Sequence, residues 1–268
     1  MRQCIENPND MDWAGFWAER LEGKVNKDWD KVAPGFFKRT RKDDYQMALF
    51  DKLILDENDV VLDVGCGEGS VTIPLAKRVK KVIGLDSSPK MLEYLKKRAI
   101  DNNITNIETV LKPIEEITYD EIGDVDVVVC SRSLNGIIPI EEVLAQLNKI
   151  ANKYIFITIF GPENKKIEKD FDKELGIKTE DFPDYNYFFN ILFNMEIYAN
   201  VERFDLNNYR EYESIDEAMD NGKFRLGLYS DEEKELLRDY LERILTFEDG
   251  KYFNVKDKAD WIMVWWKK

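Results

Sequence analysis

Three glycines spaced one residue apart, Gly65, Gly67 and Gly69, follow an apolar run and an acid in the segment V-V-L-D-V-G-C-G-E-G-S, Val60–Ser70. The apolar run reads as a strand, the glycines as a loop, and the residues after them as a helix. Glycine has no side chain to hold a ligand off, so this loop lets a nucleotide-like molecule touch backbone directly. A second run, Val82–Asp86 (V-I-G-L-D), ends in another acid about twenty residues further on, where a carboxylate can take both hydroxyls of a ribose. The spacing also separates ligands. A dinucleotide fingerprint needs its third glycine at position 70, but Ser70 stands there and the glycine comes one residue earlier, which argues against NAD and FAD.

The order D-V-G-C-G-E-G, strand, Asp86, Ser-Ser-Pro and helix resembles the class I S-adenosylmethionine-dependent methyltransferases. Asp63 and the glycines match that family's first motif, and Asp86 matches its second. By motif the likeness runs from about Tyr45 to Phe160, and more loosely through the rest by strand order. It implies S-adenosylmethionine as methyl donor. Gly65, Cys66, Gly67 and Gly69 would pass under its methionine part, Asp63 would meet its ammonium, and Asp86 its ribose hydroxyls. Ser87, Ser88 and Met91 surround that corner; Met91 either packs on adenine or is an ordinary core residue. The end of the third strand normally offers an acid to the adenine amine. Here the place reads Lys112-Pro113-Ile114-Glu115-Glu116, with Pro113 where the acid would be, Ile114 left to give a backbone contact and Glu115 as a substitute. After the fourth strand comes Ser131-Arg132-Ser133-Leu134-Asn135, a loop that in similar proteins meets the methionine end and then faces the substrate. Ser131 is expected on the cofactor. Arg132 either clamps an anionic substrate bidentately or forms an ion pair with Asp124, Asp126 or a cap glutamate. Tyr45 resembles a position that reaches the cofactor carboxylate.

The elements that must hold these residues follow from periodicity. Strands are expected at Val60–Val64, Val82–Leu85, Ile107–Leu111, Val125–Cys130 and Tyr154–Phe160. Helices alternate with them, one from a Ser70 cap towards Lys80, one opening at Ser88-Pro89, and one near Ile140–Ile150. Strand–helix alternation implies right-handed crossovers and a parallel, doubly wound sheet, and the near-continuous apolar strands fit burial on both faces. The resemblance makes this an α/β, Rossmann-like, mostly parallel seven-stranded sheet with an antiparallel edge strand. One domain is expected over 1–268. It comprises an N-terminal helical lid (1–42, broken at Gly23 and Pro34), a cofactor-binding core (43–160) and a C-terminal half (161–268). A largely helical insertion, about 207–248, separates a strand at Ile197–Phe204 from the last one, Trp261–Trp266, as a helical cap.

The chain has 268 residues, 44% hydrophobic and 34% charged, with no apolar run long enough to span a bilayer and no signal-peptide core, so a cytoplasmic protein is expected. Abundant Lys, Glu and Ile suggest a heat-adapted source. Three cysteines (Cys4, Cys66, Cys130) without a C-x-x-C and the absence of histidine exclude the usual zinc sites, and Cys66 and Cys130 read as small core residues. Its 39 basic against 53 acidic residues give a net charge of −14, which repels a phosphate backbone unless a basic patch is set apart. Lys38-Arg39-Thr40-Arg41-Lys42 is either that patch or a solvated helix end. Trp29, Phe36 and Phe37, together with Phe182–Tyr198, supply aromatics that either wall a substrate pocket or pack the cap. A small-molecule acceptor is the leading reading, with a homodimer possible. A protein or RNA substrate, or a binding protein without transfer activity, are the alternatives. No general base is identifiable, and without histidine it would have to be Asp, Glu or Tyr.

Overall fold

The computed structural model describes residues 11–23, 28–38, 44–177, 182–221, 224, 227 and 229–268. Cys4 and Arg39–Lys42 of the basic run lie outside them. In chain order the elements are α1 (Trp13–Leu21), α2 (Trp29–Lys38), α3 (Asp44–Lys52), β1 (Val60–Val64), α4 (Thr72–Ala76), β2 (Lys81–Asp86), α5 (Pro89–Asp101) and β3 (Ile107–Leu111). A short 3-10 turn (Ile114–Glu116), α6 (Tyr119–Ile122), β4 (Val125–Ser131), α7 (Ile140–Ile150) and β5 (Ala151–Phe160) complete the first half. The second half contains α8 (Lys166–Glu174), α9 (Tyr185–Asn194), β6 (Asn200–Arg203), β7 (Tyr209–Tyr212), α10 (Ile215–Asn221) and α11 (Asp231–Ile244). It ends with β8 (Thr246–Glu248), β9 (Lys251–Lys258) and β10 (Trp261–Lys267).

Among the described residues the main sheet has seven strands in the order β3-β2-β1-β4-β5-β10-β6. β1 runs parallel to β2 and β4, and β4 to β5; β10 is antiparallel to both β5 and β6. The one antiparallel strand therefore sits next to the edge, with β6 outside it. Alternate residues of the central strands feed two cores. Leu62, Val64, Val128, Cys130, Ile155 and Ile157 meet Trp17, Leu144 and Phe188 on one face, while Val61, Val127, Val129 and Phe156 meet Tyr45, Leu49 and Leu75 on the other. Both faces being covered explains why the strands show no polar alternation.

Local chemistry sets several boundaries. Ser88 caps α5, accepting from Met91 N at 3.0 Å, with Pro89 in the first helical position where its missing N–H costs nothing. Ser70, by contrast, is not a cap. The helix after the glycine loop starts at Thr72 and ends at Ala76, and the Ser70 carbonyl accepts from Gln46 Nε2 instead. Pro34 does not break the lid either; it lies inside α2, beyond the first turn. The segment between β6 and β10 holds an element that the sequence reading does not contain: beside α10 and α11, β7, β9 and β8 form a second, antiparallel sheet. Since β6 is parallel to β5 and β10 returns antiparallel, this insertion leaves and re-enters the main sheet at the carboxyl end of the parallel strands. Among the described residues no helix is long and apolar enough to cross a membrane.

Candidate active site at the carboxyl edge of the sheet

At the end of β1 the chain must reverse before α4, and it does so through glycines with left-handed backbone, Gly65 at φ 71°, Gly67 at 55° and Gly69 at 90°. The three are not equivalent. A Cβ on Gly65 would lie 2.4 Å from Ser133 Cβ, and one on Gly69 2.4 Å from Leu95 Cδ1, so these two are glycine because the protein packs against them. A Cβ on Gly67 would enter open space, with only Met91 Sδ nearby at 4.0 Å. Gly67 is the point where the loop leaves room for something else, and buried Met91 borders that room.

Acids surround the opening. Asp63 is buried and accepts from Thr72 Oγ1 at 2.6 Å; its carboxyl is pushed up to about 7, mainly by burial, with Asp86 and Glu68 adding repulsion. Asp86, at the end of β2, accepts from Gly67 N at 2.8 Å and from Ser88 N at 2.9 Å. Burial raises its pKa despite these two donors, which fix the carboxylate in the loop's plane and leave lone pairs for a diol. Among the described residues neither acid has an ion-pair partner, and buried Glu68 meets only the fringe of Arg98, at 3.8 Å. Three buried acids short of cations form a site that a positively charged ligand completes. The methionine ammonium and sulfonium of S-adenosylmethionine are such charges, and the ribose diol suits Asp86, so the residues fit this group.

The loops beyond supply the other walls. Ile114, buried in the turn after β3, comes within 3.4 Å of the Gly65 Cβ position, whereas Pro113 and Glu115 are exposed beside it. Ser87 is exposed next to Asp86, and Cys66 is buried, its thiol pushed well above the ordinary range by burial and its Sγ 3.1 Å from where a Cβ on Gly84 of β2 would lie. Tyr45 is 2% exposed, and its hydroxyl joins Ser131 Oγ at 2.8 Å and Thr158 Oγ1 at 2.6 Å, tying α3 to the ends of β4 and β5. Thr158 Oγ1 also accepts from Arg132 N at 2.9 Å. Arg132 itself has φ 61° and lays its guanidinium over the Tyr45 ring, 4.1 Å from the centroid. Of the two aspartates suggested as partners for it, Asp126 meets Lys153 and Val60 N, and Asp124 accepts from the Tyr119 hydroxyl.

The lid aromatics divide. Phe37 stacks on Tyr94 of α5, 4.4 Å between centroids and 18° apart, with the Arg98 guanidinium 5.1 Å from its centroid. It belongs to the face by which α2 docks on α5. Trp29 and Phe36 meet each other edge-on, and Trp29 is 43% exposed. α2 also sends Asp30 to Ser88 Oγ and Lys90 N, beside Asp86. Asp30, Glu68 and Ser133 were not singled out in the sequence. Glu68 stands inside the glycine motif and Ser133 two residues past Ser131, so both were within reach of the reading; Asp30 was not, because only folding brings α2 to α5. A groove of about 380 Å³ between Met11, Trp13, Phe16, Glu19, Arg20 and Tyr187 has none of these residues in its lining.

A family model described as a methyltransferase domain matches residues 55–188, half of the chain. An uncharacterised protein of Haemophilus influenzae is 26% identical over 241 residues, 89% of this chain and 88% of its own. A probable ribosomal RNA small subunit methyltransferase A of Methanosphaera stadtmanae is 38% identical over 71 residues; the chain thus matches only 26% of that relative's length, and 26% of its own. Among solved structures, a SAM-dependent methyltransferase of Aquifex aeolicus superposes with a TM-score of 0.50 at 18% identity, covering 68% of this chain and 94% of that one, which speaks to the fold. With the glycine loop, the uncompensated acids and the sheet order, these matches establish that the chain belongs to the class I S-adenosylmethionine-dependent methyltransferases.

Proposed function

We propose that this methyltransferase acts on a small-molecule acceptor held between the N-terminal helices and the inserted segment. The observation that carries the reading is where the additions to the fold stand. Trp17 of α1 donates to the Ile137 carbonyl at 2.7 Å, over the loop after β4, and α2 is fastened at Ser88. The insertion rises from the same end of the sheet. Additions on both sides of the carboxyl edge favour an enclosed site over an open track for a polymer. The net charge of −14 also works against a polyanionic substrate, and the match to the rRNA methyltransferase of Methanosphaera is confined to a quarter of this chain.

When bound, S-adenosylmethionine supplies a methyl carbon already activated by positive sulfur. What remains for this chain is alignment and exclusion of water. Asp86, Asp63 and the Gly67 opening hold the donor half. Ser131, bonded to Tyr45, closes the donor half, and Arg132, laid on the Tyr45 ring with its amide on Thr158, faces the acceptor half. No histidine is present to take a proton, so the acceptor reacts in a form that has already lost it, or passes it to a carboxylate or tyrosine. The test is S-adenosylhomocysteine release from the purified chain against metabolite pools, total RNA and a protein extract. Release with the metabolite pool alone is expected; release only with RNA or protein would overturn the reading.

A further inference from the structure

The loop after β4 carries two buried polar atoms without a hydrogen-bond partner among the described residues. Asn135 is 8% exposed, and its orientation is set by chemistry: Phe160 N–H, at the end of β5, donates to Oδ1 at 2.8 Å. The amide nitrogen must then face the other way, and Nδ2 is buried with no hydrogen-bond partner among the described residues. Two residues earlier, Ser133 Oγ is in the same state. Native proteins rarely leave buried donors unmatched, and a ligand that supplies the missing partner accounts for such a group at the edge of a site. Arg132 directly precedes Ser133 in a left-handed conformation uncommon for a side chain of its size, its guanidinium set on the Tyr45 ring.

The chemistry of these groups is one-sided. An Asn amide whose oxygen is already engaged can only donate, a guanidinium can only donate, and the Ser133 hydroxyl is able to. They stand at the ends of β4 and β5, while the uncompensated acids stand at the ends of β1 and β2. The site is polarised, with acids for the cationic methyl donor and hydrogen-bond donors on the acceptor side. We infer that Asn135, with Arg132 beside it, reads an oxyanion of the methyl acceptor, a carboxylate or a phosphate. The inference rests on the small-acceptor reading and narrows it to anionic molecules. Asn135 is then a specificity-determining residue, with Oδ1 serving the fold and Nδ2 the substrate.

This division of labour makes Asn135→Asp the informative variant. It keeps the oxygen that accepts from Phe160 N and replaces the donor with a second acceptor bearing charge. The protein saturated with S-adenosylhomocysteine is titrated calorimetrically with benzoate, inorganic phosphate and benzamide. Wild type is expected to bind benzoate or phosphate and not benzamide, and which anion binds separates carboxylate from phosphate. Asn135→Asp is expected to weaken that anion at least tenfold with an unchanged melting temperature and unchanged affinity for S-adenosylhomocysteine. Benzamide binding as well as benzoate, no anion binding at all, or an Asn135→Asp protein that binds the anion normally would each overturn the inference. So would a loss confined to S-adenosylhomocysteine, which would put Nδ2 on the cofactor carboxylate. The parent reading fails separately. Transfer to neutral metabolites refutes the anion and spares the small-molecule reading, and transfer only to RNA or protein refutes that reading whatever the variant does.

Discussion

At Asp63 burial and a hydroxyl compete, and burial wins. The carboxyl holds its proton to about pH 7 in the fold, against 3.8 for an ordinary aspartate, although Thr72 donates to it. The protonated form is therefore the one that burial in the fold favours. That contribution to stability is full below about pH 4 and fades as pH rises through 7. A bound ammonium reverses the preference, since it pairs with the anion. S-adenosylhomocysteine affinity should rise from about pH 6 to about pH 8, with a proton released on binding at the lower pH, seen as a buffer-dependent heat in calorimetry. A flat affinity and no proton release would remove Asp63 from the site. Asp86 makes the complementary case, because two backbone donors keep it placed for a diol. Asp86→Ala should weaken S-adenosylmethionine by more than roughly tenfold, the order expected on losing charge-assisted hydrogen bonds. Equal affinity by calorimetry would refute the ribose assignment.

One scale up, the glycine loop separates packing from binding. Gly69→Ala would drive a Cβ into Leu95 and should cost stability, whereas the Gly67 Cβ has room and meets only the left-handed backbone penalty, on the order of 1 kcal/mol. Gly67→Ala should accordingly melt close to wild type and bind S-adenosylhomocysteine far more weakly; Gly69→Ala should do the reverse. If Gly67→Ala binds normally in a fluorescence or calorimetric titration, the opening beside Met91 is not the cofactor's. The elements around this loop were legible in the sequence for physical reasons. β1, β2 and β4 are buried on both faces, so apolar runs mark them, and Ser88-Pro89 announces α5 by its own cap chemistry. Elements whose stability comes from tertiary contacts were not legible. β7 (Y-R-E-Y) and β8 (T-F-E) are short and charged and are strands only because β9 pairs with both. Tyr45 was visible as an aromatic before β1, but its bonds run to Ser131 and Thr158, 86 and 113 residues away, which no local pattern encodes.

Across the whole molecule, the open question is whether the insertion is an independent cap or part of the main fold, and its core answers in favour of the latter. Tyr212, Leu237, Tyr240 and Leu241 of the insertion pack on Ile167 and Phe171 of α8, the helix that follows β5. The same junction is charged. Arg210 Nε donates to Asp257 Oδ1 at 2.6 Å and Nη2 to Glu168 Oε1 of α8 at 2.7 Å, and the Tyr212 hydroxyl donates to Asp257 Oδ2 at 2.8 Å. At the root, Arg203 bridges Asp260 and Glu163, each at 2.7 Å, clamping the ends of β6 and β5 to the start of β10. Arg210→Ala removes the cation that buried Asp257 and Glu168 share, a change of about 3–5 kcal/mol. Because α8 is continuous with the central sheet, the loss should be felt by the sheet as well. Urea unfolding followed by tryptophan fluorescence, with Trp261, Trp265 and Trp266 reporting β10, should shift together with unfolding followed by far-ultraviolet circular dichroism, as one transition at lower urea. An early change in dichroism with fluorescence unmoved would mean that the insertion melts alone. The cap would then be a detachable module, and substrate selectivity could be exchanged by grafting it; a shared transition means that selectivity and fold stability are built into the same contacts.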